Sequence, residues 1–367
     1  MTRTLKLVWI AAALALATGC GGTNPSSPTT PANSMSSTAI SSNLADSEGA
    51  VTAVADSQAA IAPRSLAVSG SPAPSPTPRV LFHEYRENCD TDVDFPSGAP
   101  KGSVQLIDAP QDPIVHPGVL APPGQHIHTF FGNKSINPNS TADSMMAAPS
   151  TCNAAGGHQA WWVPALSLDG QLIHPKNIVV YYKMGPDGFN ATVAPLPQGI
   201  RILSGSTTQT EAAFSQIGSW TCGGVPRTPS FPDSCTAGSD LTLRLDGPNC
   251  VANLTDTDSP THRTHIVYPV KVNGVLVCPT DHPIAVTMPV LKISYVVPTG
   301  VTGLQARLKV SQMQADGTVA FVGPAWSMHA DEIFVFDTAT FAHLTDYCIN
   351  GGRQCDNTGN GPHITVP

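Results

Sequence analysis

From residue 79 onward, apolar and polar positions alternate in short runs, and Pro, Gly and Asn stand between the runs. A period of two sends successive side chains to opposite faces, which is the pattern of a strand with one buried face. The spacing predicts strands at Val80–Tyr85, Val104–Ile107, Ile127–Phe131, Ala160–Leu166, Ile178–Lys183 and Ile200–Leu203. Further strands are predicted at Leu241–Leu245, His265–Val272, Val290–Val297, Leu304–Gln312, Val319–Val322 and Met328–Phe336. Helical periodicity is nearly absent. Ala339–Ile349 is the best helix candidate, with Thr338 as its cap, and 35 prolines further disfavour helix interiors. Many short strands with long turn-rich connections predict an all-β, mainly antiparallel domain. Its expected form is a β-sandwich or jelly roll with long loops and one short C-terminal helix.

Composition divides the chain into three. Residues 1–20 carry Arg3 and Lys6, an apolar run from Leu7 to Ala17, and then Thr18-Gly19-Cys20. That is the layout of an export signal, and the run is too short for a bilayer core, which needs roughly 20 residues. Ala17-Thr18-Gly19-Cys20 is similar to a bacterial lipobox, so Cys20 is the expected lipidated residue and the only expected link to a membrane. Residues 21–78 are Ser, Thr, Pro, Ala and Gly with almost no aromatic side chain. Too little apolar surface exists there to offset ordering entropy, which predicts a disordered tether. Residues 79–367 form the expected single exported β-domain, long enough for a large core.

The net charge is −8, and the six charges of the leader and tether cancel, so the domain carries all of it. No basic cluster exists, and nucleic acid is excluded as an expected partner. Apart from Cys20, eight cysteines remain, an even number that reads as up to four disulfides in an exported chain. Pairing nearest neighbours joins Cys222 to Cys235, Cys250 to Cys278 and Cys348 to Cys355, which leaves Cys89 with Cys152.

The candidate chemistry is histidine chemistry. In extended backbone His126 and His128 share a face while Ile127 takes the other. Such a pair is half of a metal site, and neutral imidazoles suit zinc, copper, nickel or iron. His262, His265 and His329 are candidates to complete it, and the expected ligand set is His126, His128, His265 and His329. His262-Arg263-Thr264-His265 is expected in a turn that enters Ile266–Val272. Asp331, two residues beyond His329 in a strand, shares its face and serves as a carboxylate ligand or base. A metal-free alternative pairs a His with Tyr268, Tyr181 or Tyr182 to abstract a proton beside a uronic carboxylate, with Arg201 or Arg244 to neutralise it. A third reading makes the histidines structural. Trp161, Trp162 and Trp326 offer flat faces to sugar rings, but adjacent tryptophans face opposite ways, and the core is the better place for Trp161 and Trp162.

Asp112-Pro113-Ile114-Val115-His116-Pro117-Gly118, with the His126/His128 strand after it, resembles the start of a family of secreted proteins known as the domain-of-unknown-function family DUF1996. Trp161-Trp162-Val163-Pro164-Ala165-Leu166, Val180-Tyr181-Tyr182 and Leu196-Pro197-Gln198-Gly199-Ile200-Arg201 resemble its later segments in order. Trp220-Thr221-Cys222, Phe231-Pro232-Asp233-Ser234-Cys235, His262-Arg263-Thr264-His265, Cys278-Pro279-Thr280-Asp281-His282-Pro283 and His329-Ala330-Asp331 continue the series. Thr261 departs from it, because the family has Asp before its histidine pair. The resemblance implies secretion and a single domain over roughly Pro110 to Cys348, and the family name carries no activity.

Together these readings describe an exported, surface-anchored protein with a His-rich pocket that binds or cleaves an extracellular glycan, a polysaccharide being the expected partner. The sequence leaves open whether the protein is an enzyme. A divalent metal is the expected cofactor and no organic cofactor is expected, since no motif for one exists. The competing reading is a non-catalytic envelope or matrix protein braced by its histidines.

Overall fold

The computed structural model describes residues 83–89, 107–119, 125–223, 225–298 and 300–359. All of them belong to one compact unit, Pro72–Pro367. The expected leader, the tether, the start of the Val80 run and most of the Val104 run lie outside the described residues.

The chain is mostly β, in several antiparallel sheets, and no closed barrel forms among the described residues. A six-stranded sheet runs in the order Gln354–Cys355, Glu84–Cys89, Pro175–Lys183, Met288–Tyr295, Leu241–Asp246, Gly218–Cys222. A five-stranded sheet runs Ile107–Ala109, His128–Gly132, Ala160–Pro164, Ala330–Ile333, Arg201–Ser204. A four-stranded sheet, Val319–Gly323, Leu308–Met313, Leu166–Leu168, Gln171–Ile173, continues from the second.

Alternation along the five-stranded sheet decides everything that follows. Phe131, Trp161, Val163 and Ile202 point inward and share one apolar core with Tyr85, Val180 and Leu291 of the six-stranded sheet. Phe130, Trp162, Leu203 and Ile333 point the other way and pack with Ile114, Ile136 and Met145 of the covering loops. Both faces are therefore buried, and Trp161 and Trp162 lie in different cores, as alternation requires. Truncating either ring to Ala would cost about 3–5 kcal/mol. The strand His128–Gly132 ends at Gly132 because the backbone there has φ +88° and a Cβ would run into the Gln159 carbonyl.

The four disulfides join Cys89 to Cys152, Cys222 to Cys235, Cys250 to Cys278 and Cys348 to Cys355. The largest loop closed by nearest-neighbour pairing is the one between Cys89 and Cys152, which ties the six-stranded sheet to the start of the covering region.

Several elements differ from expectation. The long strand expected at His265–Val272 is two short ones, Ile266–Val267 and Val270–Val272, interrupted by Tyr268-Pro269. Leu304–Arg307 is a helical turn, because Gly303 enters it in the left-handed region and Asp169 holds Arg307 from the four-stranded sheet's edge. The expected strand at Met328–Phe336 shrinks to Ala330–Ile333 behind a 3₁₀ turn at Ala325–Ser327. The C-terminal helix covers Thr338–Leu344 and widens into a π turn at Thr345–Asn350. Its cap is Asp337, whose carboxylate accepts from Thr340 N–H at 2.8 Å, and not Thr338. Short helices at Ala142–Met146 and Glu211–Ile217, each started by a capping Thr, carry too few turns to show a period in the sequence.

Candidate metal centre

The outer face of the five-stranded sheet holds a polar island inside its apolar cover. His128 opens its strand opposite Pro164, and Asp331 lies opposite Trp162 on the other side of the same central strand. Continuing that ladder by two residues brings His329 to the row of His128. His126 precedes the strand in extended backbone and faces the same way. The ring centroids of His126 and His128 are 4.2 Å apart, those of His126 and His329 5.2 Å, and those of His128 and His329 5.7 Å.

Two of the rings, His128 and His329, approach one carboxylate. Asp331 Oδ2 is 3.8 Å from His128 Nε2 and 3.6 Å from His329 Nε2. Asp112 completes a second group with His128 and Asp331, and in each three-residue group the ligand atoms lie within 4.8 Å of one another. Asp112 Oδ1 accepts from the Ile114 and Val115 N–H groups, both at 3.0 Å, so the loop itself aims this carboxylate.

Tautomers follow from the outer hydrogen bonds. His128 Nδ1–H donates to the Gln111 carbonyl at 2.9 Å and His329 Nδ1–H to the Ser327 carbonyl at 3.2 Å. Each Nε2 is left with a lone pair directed at Asp331. An imidazole fixed from behind by a carbonyl is the usual arrangement of a metal-ligating histidine. At His126 the Gln125 amide N–H₂ is 3.4 Å from Nδ1. A half-turn of that amide, which fills the same space, lets its oxygen accept from Nδ1–H and gives His126 the tautomer of the other two.

Electrostatics point to a missing positive charge. His126 Nε2, His128 Nε2 and both Asp331 oxygens are buried without a hydrogen-bond partner among the described residues, and groups of that kind are costly to bury. Burial lowers His126 to about 4 and His329 to about 3, and holds His128 well below the usual imidazole range. The imidazoles are neutral at pH 7, the form that binds metal. Burial pushes the Asp331 carboxyl well up, with the Asp112 charge acting in the same direction and Arg263 opposing both. Two overlapping groups, His126, His128 and His329 on one side and Asp112, His128 and Asp331 on the other, bring together ligand types that suit a divalent transition-metal ion.

The remaining candidates stand elsewhere. His265 is not a ligand of this cluster: Nε2 bonds the Arg201 carbonyl at 2.6 Å and Nδ1 the Ser259 hydroxyl at 3.1 Å, so neither nitrogen is open. His262 bonds Asp258 Oδ1 at 2.8 Å through Nδ1, in a turn that leads into Ile266–Val267 as its spacing predicts. Asp258 thus supplies the acidic partner that Thr261 does not. The Tyr268 hydroxyl donates to the Asp246 carbonyl at 3.1 Å, and no hydrogen bond or ring contact joins it to the cluster among the described residues. Arg201 pairs with Asp258 and Arg244 with Asp246, while Tyr182 is buried and donates to Glu332. The tyrosine–histidine–arginine set needed for uronate proton abstraction is therefore not assembled around these imidazoles. Asp112, Gln125 and Arg263 are the site residues that sequence reasoning missed. Asp112 lies in the Asp-Pro-Ile-Val-His-Pro motif and Arg263 in His262-Arg263-Thr264-His265, which offered signals, whereas nothing local marks Gln125 beyond its place before His126.

A family model described as "Domain of unknown function (DUF1996)" matches residues 112–335, beginning at Asp112 and enclosing every residue of the cluster. No curated protein and no solved structure matches the chain.

Proposed function

From the premise that the chain belongs to the DUF1996 family, we propose that it is a metal-binding protein whose centre is His126, His128, His329 and Asp331, with Asp112 beside them. One observation carries the reading. Lone pairs of buried imidazoles fixed from behind by backbone carbonyls meet an unpartnered carboxylate. A divalent ion held by these residues would offset the negative charge of Asp331 and would supply Lewis acidity there. The chain's part is to hold the imidazoles neutral, orient them, and exclude bulk water.

Access decides between two uses of that ion. His126 is 7% exposed and His329 5%, while His128 and Asp331 are closed off. A polymer chain meets such a centre only at its rim, where His126 and His329 stand. That closure favours an ion that braces the covering loops or acts on something small. In the wider proposal the protein is exported, held to the envelope through lipid on Cys20, and associated with an extracellular glycan. The leader, the Ser/Thr/Pro tether and a polarity carried by neutral side chains support it.

The test strips the purified chain with a chelator and titrates Zn²⁺ and Cu²⁺ by calorimetry, with elemental analysis of the product. One ion per chain, lost in His128→Ala, is the expected result. Absence of tight binding by either ion would remove the proposal. Assaying metal-loaded and stripped protein on uronate and neutral polysaccharides separates a catalytic ion from a bracing one.

A further inference from the structure

A groove of about 730 Å³ is lined by the end of the Glu211–Ile217 helix, the Leu241–Asp246 strand and the Val270–Val277 hairpin. Its volume is that of an ordinary ligand site. None of the histidines of the metal centre lines it.

Its charge is unlike that of the whole protein. Arg227, Arg244 and Lys271 line it against Asp187 and Asp246, a positive balance of one on a chain of net −8. Arg244 is fixed and neutralised by Asp246 through two bonds, Nε to Oδ1 at 2.7 Å and Nη2 to Oδ2 at 3.0 Å. Tyr268 is tied to the Asp246 carbonyl, so the floor is rigid. Arg227 and Lys271 are exposed, and no carboxylate pairs with either among the described residues. The hydroxyl and amide groups of Ser219, Thr228 and Gln216 add donors and acceptors together, the match for sugar hydroxyls, which do both.

The hairpin explains how the groove is walled. Asn273 (φ 50°) and Gly274 (φ 85°) make the tight turn, and Val270↔Val277 and Val272↔Val275 put four valines on its outer side. The Lys271↔Leu276 pair takes the opposite side, where both residues line the groove and Leu276 bridges to Phe189. An isolated two-stranded ribbon is marginal by itself, and this one is held through its groove face.

We propose that this groove binds a segment of acidic polysaccharide, with Arg227 and Lys271 taking uronate carboxylates and the neutral polar wall taking the ring hydroxyls. The ligand class rests on the glycan association proposed above, and the site itself is independent of the metal centre. The test measures binding of oligogalacturonate and oligoalginate to the full chain by calorimetry, at low and high salt, with dextran oligosaccharide and polyglutamate as controls. Acidic oligosaccharide is expected to bind in a salt-sensitive way, and R227A/K271A to weaken it by about tenfold or more. Metal removal is expected to leave it unchanged. No binding, equal binding by the double variant, or equally tight binding of dextran or polyglutamate would overturn the groove assignment. Metal loading is read separately, so loss of the metal reading with retained oligosaccharide binding leaves the groove standing, and the reverse leaves the metal centre.

Discussion

Asp331 and Glu332 are neighbours in one strand, and the sheet sends their carboxyls to opposite faces. Both are buried, at 1% and 0% exposure, and burial raises both well above the usual carboxylate range. Their surroundings differ in kind. Asp331 meets the Nε2 atoms of His128 and His329, which carry lone pairs, with the Trp162 indole N–H acting on it as a donor. Glu332 meets a proton donor, the Tyr182 hydroxyl at 3.0 Å, and lies near Glu87, which receives the Gln159 amide. The inner cluster can be neutral by keeping protons; the outer one presents the ligand atoms of a candidate metal site. Burial alone therefore says that a carboxyl is unusual, and the polarity of the atoms facing it says what it is for.

The sharpest way to break this contrast is to remove an imidazole. His128→Ala should raise the metal dissociation constant by more than ~100-fold, beyond the 10–100-fold typical of an outer-shell change, while Glu332→Gln should leave it within about twofold. Calorimetric titration of both variants checks the pair.

The second test uses pH. Glu87 is pushed up from an ordinary 4.5 to about 8 by burial, with the Gln159 bond opposing. Between those values the folded chain keeps a proton that the unfolded chain has released. The part of the stability that Glu87 contributes should therefore fall as pH rises through that window, by up to ~1.4 kcal/mol per unit, and level off above it. The buried neutral histidines act in the opposite direction below pH 6.5. Glu87→Gln should flatten that slope in urea unfolding series run across the window. A slope that Glu87→Gln leaves unchanged would show that Glu87 is charged in the folded chain and the contrast is mistaken.

Asp331→Asn should weaken metal binding by roughly 10- to 100-fold and leave the fold intact, since the amide keeps the shape. Metal at about 100 times its dissociation constant stabilises the wild type by ~2.7 kcal/mol, so the melting shift on adding metal should shrink in the variant. Gln125→Leu should have the smallest effect, a loss of about tenfold or less, because it only frees the back of His126. A loss as large as that of His128→Ala would make Gln125 a ligand and redraw the site.

Much of this arrangement is legible from residue parity. His126 and His128 on one side of Ile127, His329 and Asp331 on one side of Ala330, and Trp161 and Trp162 in separate cores all follow from alternation within a few residues. Family resemblance, now matched over 112–335, and nearest-neighbour pairing of the cysteines are equally local readings. What went astray was non-local. Leu304–Arg307 has strand composition but is turned by Gly303 and Asp169, and His265 has the look of a ligand but spends both nitrogens on Ser259 and Arg201.

By itself, then, the chain determines which way each side chain faces, because a strand's pleat is set by adjacent peptide units. It does not determine that His329 arrives beside His128, that Asp112 closes over them, or that Arg227 and Lys271 share a groove. Those meetings depend on the register of strands far apart in sequence and on the loops that cover Phe130 and Trp162. Register is chosen by packing the whole apolar surface at once, and no short stretch of residues contains that sum.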